Sequence, residues 1–387
     1  MGGYVPNTLH SIRSRMSAAF SGRSYPLGHV PALDGLRGFL TVGVLAAHSK
    51  ISLFSGIAIH MDAFFVLSGY FITSLLLSEV QRTASVDLVA FYRRRLRRLY
   101  PALCAMIFGV LAFSAVFQPR SAMSIKEAVV ALLYLRDYYH FLFDANGMVT
   151  SLHLWSLAVE EQFYILWPLL FIFLVRRGRA SWQAVAYLAC LAVLIAVFRA
   201  WLTYSGVSAT YVYFPLHGHA DSLLVGCALA FVLKLADLHD RAALLQWLRR
   251  LLVPLFLAGL VTLFTMPHLV PIYFYVASPL ASLGTAVVIA GLVHAKPCLL
   301  HRLFENPVLT FCGRISYGLY VWHWPIFIFV IYQGSEFMPL RITAAWILTL
   351  VLAGLSYPLL ELRFLRPVHQ KPRSGSEGVF AAAPGTS

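Results

Sequence analysis

Charged side chains are scarce in this chain. Asp, Glu, Lys and Arg make up only 12% of its 387 residues, whereas a soluble globular domain has about 25%. Hydrophobic residues account for 59% of the chain, and the mean hydropathy is +0.74. A soluble core cannot hide so much apolar surface. The composition therefore excludes a soluble globular protein and predicts one that uses the lipid bilayer as its solvent.

Cysteine is also scarce, and its spacing excludes two kinds of site. The five cysteines form no CxxC pair and lie in or beside apolar segments. We interpret them as small apolar residues that belong neither to a disulfide framework nor to a metal site. The formal net charge of +14 does not indicate nucleic-acid binding, because the basic residues are spread between apolar segments and form no single patch.

Long apolar segments fill most of the chain, and ten of them have the roughly 20 residues that a transmembrane helix needs. Residues 127–143 are too polar to span and predict an interfacial or re-entrant segment. One transmembrane domain is expected at 31–367, between a flexible N-terminal segment at 1–30, which lacks a signal peptide, and a disordered tail at 368–387. The ten predicted spans are 33–50, 60–79, 101–118, 153–175, 182–204, 216–236, 251–267, 276–295, 314–333 and 342–361.

The distribution of basic residues tests this topology. With the N-terminus in the cytoplasm, 23 of the 30 Lys and Arg residues fall in inner segments, five in outer segments and two inside spans. A missed or additional span would reverse the bias from that point onward, and no reversal occurs. The predicted fold is an all-α polytopic membrane protein with about ten transmembrane helices and both termini in the cytoplasm.

Two of the predicted spans carry costly polar side chains. A charge at the centre of a membrane helix costs about 2.5–3.5 kcal/mol. In the first span, LDGLRGFLTVGVLAAH, Arg37 and His48 share a face and lie about 17 Å apart along the axis; a capping charge and an interfacial histidine would also explain them. The fourth span, HLWSLAVEEQFYILWP, has adjacent carboxylates at Glu160 and Glu161, which helix packing explains poorly. A polar stripe on that span comprises His153, Ser156, Glu160 and Tyr164.

Polar groups in three other spans leave more than one interpretation open. Asp62 lies among large apolar residues near the start of the second span. His219 and Asp221 follow His217 in the sixth span, but their spacing does not place all three on one face, so we predict no metal site. His323 in the ninth span either lines a substrate cavity or bonds a neighbouring backbone group.

Two short motifs are ambiguous in the same way. The pair Ser68-Gly69 in the second span is more typical of close helix packing than of catalysis. The basic cluster FYRRRLRRLYP at 91–101 is mainly a topology signal, although its arginines could also bind the phosphates of a nucleotide-like cofactor.

Taken together, these segments resemble the acyltransferase-3 family of bacterial membrane O-acyltransferases over about residues 31–367. Each motif alone is weakly specific, whereas their combination and order are specific. The matching motifs are LDGLRGFLTVGVLAAH, DAFFVLSGYFIT, FYRRRLRRLYP, LHLWSLAVEEQFYILWP, ADSLLVG, ISYGLYVWHWP and SYPLLELRFLRP.

The resemblance implies an acyl-CoA donor in the cytoplasm and an acceptor hydroxyl on or beyond the outer side of the bacterial inner membrane. It also implies essential roles for the Arg and His of the first motif. The family usually has Arg where this chain has His219, so the partner of Asp221 stays open. The residues that match the family's functional positions are Arg37, His48, Arg95, Arg98, Trp155 and Glu160.

We expect the CoA phosphates to stay on the cytoplasmic side, since they are too costly to bury in the bilayer. Their expected ligands are Arg95, Arg98 and Arg37, with the thioester near His48. Further expected substrate contacts come from Trp155, Tyr164, Asp221 and His323.

For the chemical step, we expect His48, oriented by Glu160 or Asp62, to deprotonate the acceptor hydroxyl. A covalent acyl-histidine is the alternative mechanism. The acceptor stays open among a saccharide, a glycan and a macrolide-type small molecule, with acetyl as the default acyl group. Rival functions are a proton-coupled secondary transporter, in which His and Glu form a proton relay, and an inactive scaffold.

Overall fold

The computed structural model describes residues 30–51, 58–83, 85–117, 123–139, 150–176, 182–235, 250, 254, 271–294, 299–332 and 336–365. Over these ranges the chain consists of helices and turns, without a strand. The predicted span at 251–267, the tail and nearly all of the N-terminal segment fall outside the described residues.

The α-helices are labelled in chain order. They are α1 (Pro31–His48), α2 (Ala58–Thr83), α3 (Leu88–Phe117), α4 (Ile125–Leu132), α5 (Leu154–Arg176), α6 (Trp182–Tyr204), α7 (Ala209–Tyr213), α8 (Ala220–Leu235), α9 (Ser278–His294), α10 (Leu299–Phe304), α11 (Pro307–Arg314), α12 (Ser316–Val330), α13 (Met338–Ser356) and α14 (Leu362–Leu365). A 3₁₀ turn (Leu216–Gly218) precedes α8, and π-helical turns join α9 (Tyr273–Ala277) and α13 (Tyr357–Glu361) to their neighbours.

Six helical segments among the described residues are long and apolar enough to cross a membrane. The all-α, multi-pass prediction is confirmed at this level, whereas the count of ten and the orientation of the termini stay predictions. Two predicted spans form shorter helices, since α8 has 16 residues and α12 has 15; α1 has 18 residues, as many as its predicted span, but begins two residues earlier. The six segments are His60–Gln81, Leu88–Phe117, Leu154–Val175, Trp182–Tyr204, Tyr273–Val293 and Met338–Phe364.

The outward faces of these helices are apolar. On α6, Val193, Leu194 and Val197 are each about 60% exposed, and only 22% of that segment is buried inside the molecule. Such a surface would drive aggregation in water, but it matches the hydrocarbon core of a bilayer. The inward faces carry the polar side chains that the sequence analysis singled out.

Helix α3 begins earlier than the predicted span at 101–118. It starts at Leu88 and continues through Pro101 to Phe117, so the basic cluster forms its first turns and is not a loop before the span. Arginine and leucine are good helix formers, which lets the cluster extend the apolar helix. The arginines are therefore held on a rigid element that leads into the core.

Close packing of α2 on α8 depends on glycine. A Cβ atom at Gly69 would overlap the carbonyl oxygen of Leu223, and one at Gly226 would overlap that of Val66. Small residues at such crossings let helix backbones approach closely in a membrane. The packing interpretation of Ser68-Gly69 thus fits this contact, and it places the neighbouring Ser68 side chain at the inner face of α2.

Candidate active site

A cavity of about 620 Å³ lies between helices α1, α2, α3, α5 and α12. Its lining follows α2 from Met61 to Gln81, a distance of about 30 Å along the helix axis. That length is comparable to the thickness of a bilayer's hydrocarbon core. Five of the predicted site residues line this cavity, namely Arg37, Arg95, Arg98, Glu160 and Tyr164.

Arg95 is fixed in the cavity by two residues of α5. Its Nε and Nη2 atoms donate to Glu161 Oε1 over 3.1 and 3.0 Å, and its guanidinium lies 3.3 Å from the centre of the Tyr164 ring. Glu161, to which the sequence analysis assigned no site role, is thus the ion-pair partner of Arg95. The adjacent carboxylates at 160 and 161 indicated a polar site in the sequence, but their spacing did not identify Arg95 as the partner of Glu161.

Glu160 faces the cavity together with a serine of α2. Ser68 Oγ donates to Glu160 Oε1 over 2.5 Å, and the charges of Arg95 and Arg37 both act on this carboxylate. The Arg37 guanidinium itself lies 4.8 Å from the centre of the Phe71 ring. A carboxylate, a hydroxyl and two guanidinium groups therefore face one cavity, where charges interact more strongly than in bulk water.

His48 and His323 form a hydrogen-bonded pair beyond the cavity. Their Nδ1 and Nε2 atoms are 3.0 Å apart, and their rings stack at 5.2 Å between centroids. The end of α1 is held in place because Tyr332 donates to the His48 carbonyl and Trp346 donates to Ser49 Oγ. His323 is completely buried. Of the two interpretations of His323, the bond to a neighbouring backbone group fits the structure, because its Nδ1 contacts the Tyr320 carbonyl, whereas His323 is not among the residues that line the cavity.

The contacts of this pair determine its neutral tautomer. His323 Nδ1 lies 2.6 Å from the Tyr320 carbonyl oxygen, which can only accept, so this nitrogen carries the proton. His323 Nε2 is then an acceptor, and His48 Nδ1 must donate to it. The remaining ring nitrogen, His48 Nε2, therefore carries the lone pair. In this state His48 is a base at Nε2.

Tyr320 connects the histidine pair to the cavity. The residue lines the cavity, its carbonyl binds His323, and its hydroxyl donates to the His153 carbonyl. Ser156, which also lines the cavity, has its Oγ 2.5 Å from that hydroxyl. Tyr320 thus contacts the cavity on one side and His323 on the other.

The other predicted site residues lie in a second, buried polar network. Asp62 accepts hydrogen bonds from Ser222 over 3.0 Å and from Tyr273 over 2.6 Å, and it lies 3.1 Å from His219 Nδ1. Asp221 accepts from Arg199 Nη1 over 2.7 Å. The cation for Asp221 thus comes from α6, while His219, which replaces the family's usual Arg, pairs with Asp62.

Aromatic rings lie between this network and the cavity. Phe65 lines the cavity, and its ring lies 4.9 Å from that of His219. The Trp155 ring packs beside both, 5.3 Å from His219 and 6.2 Å from Phe65. The structure therefore brings Arg37, Arg95 and Arg98 together with Glu160 and Tyr164, and it joins His48 to His323. It leaves Asp62, Asp221 and Trp155 outside the cavity lining, and the hydrogen-bond partner that it gives His48 is His323.

No group of three or more His, Cys, Asp or Glu side chains suited to hold a metal ion occurs among the described residues. His219 and Asp221 each bond a different partner, as described above. The arginine-lined cavity is instead suited to an anionic organic ligand, because guanidinium groups bind phosphate and carboxylate through paired donors.

Comparison with known proteins identifies similar chains. Residues 30–359 match the model of the acyltransferase-3 family, described as an acyltransferase domain. The chain is 33% identical to the O-acetyltransferase OatA of Staphylococcus aureus over 360 residues, covering 88% of this chain and 58% of that protein. It is 32% identical to the peptidoglycan O-acetyltransferase OatA of Listeria monocytogenes over 356 residues, covering 87% and 56%. The chain thus spans less than three fifths of these relatives. No solved structure matches it.

Proposed function

Because this chain belongs to the acyltransferase-3 family, we propose that it is a membrane O-acyltransferase. It moves an acetyl group from cytoplasmic acyl-CoA to a hydroxyl of a saccharide or glycan at the outer side of the bacterial inner membrane. The observation that carries this proposal is the single cavity that contains three arginines and reaches Tyr320, the residue whose carbonyl binds His323 of the histidine pair.

The cavity is suited to the donor. Its volume lies within the range of about 300–1,000 Å³ that small-molecule sites occupy. Arg37, Arg95 and Arg98 supply charge for the CoA phosphates, and Glu161 and Tyr164 hold the Arg95 guanidinium in one orientation. Such preorganisation reduces the entropy lost on binding. The narrow pantetheine arm then extends along α2 toward the histidine pair.

The chemical step uses His48 as the general base. Its Nε2 takes the proton of the acceptor hydroxyl while the hydroxyl oxygen attacks the thioester carbonyl carbon. The tetrahedral intermediate collapses with cleavage of the carbon–sulfur bond. The proton on His48 then passes to the departing thiolate, which leaves as CoA thiol and returns the histidine to its neutral state. His323 Nε2 accepts from His48 Nδ1 throughout and so stabilises the transient imidazolium.

A saccharide acceptor is supported by the relatives. One is named as an O-acetyltransferase and the other as a peptidoglycan O-acetyltransferase, which favours a polysaccharide over a macrolide-type small molecule. The longer relatives include segments that this chain does not match, so the acceptor of this chain needs its own assay.

The proposal is tested with purified protein in detergent and acetyl-CoA as the only substrate. Wild type should consume acetyl-CoA by hydrolysis or exchange, and His48→Ala should abolish this activity. Arg95→Ala should weaken acetyl-CoA binding by at least about tenfold, since charged hydrogen bonds contribute about 1.5–3 kcal/mol. Arg97→Ala is the matched control, because Arg97 is exposed on the same helix.

Two outcomes would reject the proposal. If wild type neither binds nor consumes acetyl-CoA or longer acyl-CoAs, the donor is wrong, and a proton-coupled transporter becomes the better account of the intramembrane His and Glu residues. If the Arg95 and Arg97 variants bind acetyl-CoA equally, the cavity is not the donor site.

A further inference from the structure

A buried arginine lies between α4 and α5, outside the cavity. Arg136 is only 1% exposed, and its Nε, Nη1 and Nη2 atoms have no hydrogen-bond partner within the described part of the chain. Its guanidinium lies 4.4 Å from the centre of the Tyr139 ring. This contact leaves the N–H groups at the edge of the guanidinium available, because a cation–π contact uses the face of the group.

Other buried polar atoms without partners occur in the turn before α5. Thr150 Oγ1, Ser151 Oγ and His153 Nδ1 form no hydrogen bond with any described residue, and their side chains are at most 3% exposed. The charge of Arg136 acts on the His153 ring. The turn that contains Arg136 and the turn before α5 thus both carry buried hydrogen-bonding groups that have no partner among the described residues.

The donors and acceptors of this region can be assigned. His153 Nε2 lies 3.2 Å from the Val321 carbonyl oxygen and carries the proton. His153 Nδ1 is therefore an acceptor that needs a hydroxyl or amide donor. Arg136 can only donate, and Thr150 and Ser151 can do either.

A buried, unpaired guanidinium is costly, since burial removes its hydration and no ion pair replaces it. The charge of Glu127 acts on Arg136, but Glu127 Oε2 accepts from the Ser124 amide at the start of α4 over 2.8 Å. The charge of Arg136 is therefore uncompensated by any ion pair among the residues that the structure describes. An oxyanion would balance it.

We propose that Arg136, Thr150, Ser151 and His153 form the subsite that binds the acceptor, and that this subsite takes an acidic or phosphorylated saccharide. The oxyanion of the ligand binds Arg136, and one of its hydroxyls donates to His153 Nδ1. This inference rests on the proposed function. Its position supports it, because the His153 ring lies 5.4 Å from that of His323, the hydrogen-bond partner of His48.

The test measures thermal stabilisation of the full-length protein in detergent by three probes: sodium glucuronate, inorganic phosphate and glucose. We expect at least one anionic probe, but not glucose, to stabilise wild type. Arg136→Gln and Thr150→Val should raise the half-saturating probe concentration by about tenfold or more. Arg341→Gln is the control, because Arg341 also has a buried nitrogen without a partner among the described residues, yet lies at the start of α13. It should bind the probe as wild type does.

The two anionic probes distinguish the source of the oxyanion. Stabilisation by glucuronate alone indicates a sugar carboxylate, and stabilisation by phosphate as well indicates a phosphorylated or lipid-linked saccharide. The inference is wrong if neither anion stabilises wild type, or if Arg136→Gln binds the probe as tightly as wild type does.

A second readout separates binding from a structural role. Removing a buried charge that has no partner should leave the melting temperature of ligand-free Arg136→Gln unchanged or raise it, whereas a fall of several degrees would make Arg136 structural and overturn the inference. Acetyl-CoA turnover by wild type, measured separately, decides the proposed function. Turnover without anion binding would support the proposed function and show that the proposed subsite is wrong.

Discussion

Replacing His323 by leucine should slow acetyl-CoA turnover by about 10- to 100-fold. The substitution removes the acceptor for His48 Nδ1, which His323 provides over 3.0 Å, and so releases the ring and its tautomer. A lost hydrogen bond to a group that becomes charged costs about 1.5–3 kcal/mol, and about 1.4 kcal/mol corresponds to a factor of ten. The loss should appear in kcat, because His323 acts on the base and not on the donor.

His323→Gln separates this positioning role from mere packing. The amide oxygen of glutamine can accept from His48 Nδ1, so this variant should keep at least about ten times the activity of His323→Leu. Turnover of acetyl-CoA is followed by release of free thiol, with KM determined for each variant.

His301→Leu is the matched control. His301 lies in α10, away from the histidine pair. It is also buried, and its Nε2 lies 3.2 Å from the Leu292 carbonyl oxygen. It should retain the turnover of wild type. Equal activity of the Leu and Gln variants at 323, or an equal loss in His301→Leu, would refute the argument that His323 positions the base.

Three further predictions concern stability and are measured as melting temperatures in detergent. Arg199→Met should destabilise the protein by about 3–5 kcal/mol because it leaves Asp221 buried and unpaired, and Arg199→Met/Asp221→Leu should recover much of that loss; additive effects would contradict the pairing. Burial raises the pKa of Asp137 from 3.8 to about 6, so the neutral form favours folding below about pH 4 and this stability is lost as the pH rises through 6. Asp137→Asn should therefore raise the melting temperature at pH 7, leave it unchanged at pH 4 and remove the slope between them. Gly69→Ala should cost about 1–3 kcal/mol by forcing α2 from α8, whereas Gly354→Ala, with open space around the new methyl group, should cost nothing comparable.

The sequence identified which polar residues are costly in a membrane, but not which of them pair. Arg95 and Glu161 are 66 positions apart along the chain, and Arg199 and Asp221 are 22 apart. Helical spacing relates residues on one helix only, so partners on different helices depend on packing that periodicity does not encode. The predicted polar face of α1 includes His48, but its bond to His323 depends on the crossing of α1 and α12.

The six spans and the helical class were predictable because apolar length is a local property of sequence. The start of α3 was not predictable, because a run of arginines is equally typical of a loop at the membrane surface and of a helix. Arg199 illustrates the same limit. Its charge falls inside a predicted span, but only the structure shows that Asp221 is its partner.

Helix α1 has a geometric consequence for the substrate. Arg37 and His48 lie on the same 18-residue helix, eleven residues or about 17 Å apart along its axis. A continuous helix is rigid, so in the proposed donor site α1 would fix the distance between a phosphate bound at Arg37 and a thioester presented at His48. A donor with a shorter arm would then reach either Arg37 or His48, but not both. A single residue inserted in α1 between Arg37 and His48 would lengthen their separation by about 1.5 Å and rotate one side chain away from the other by about 100°. The spacing of these two residues would therefore itself select among donors.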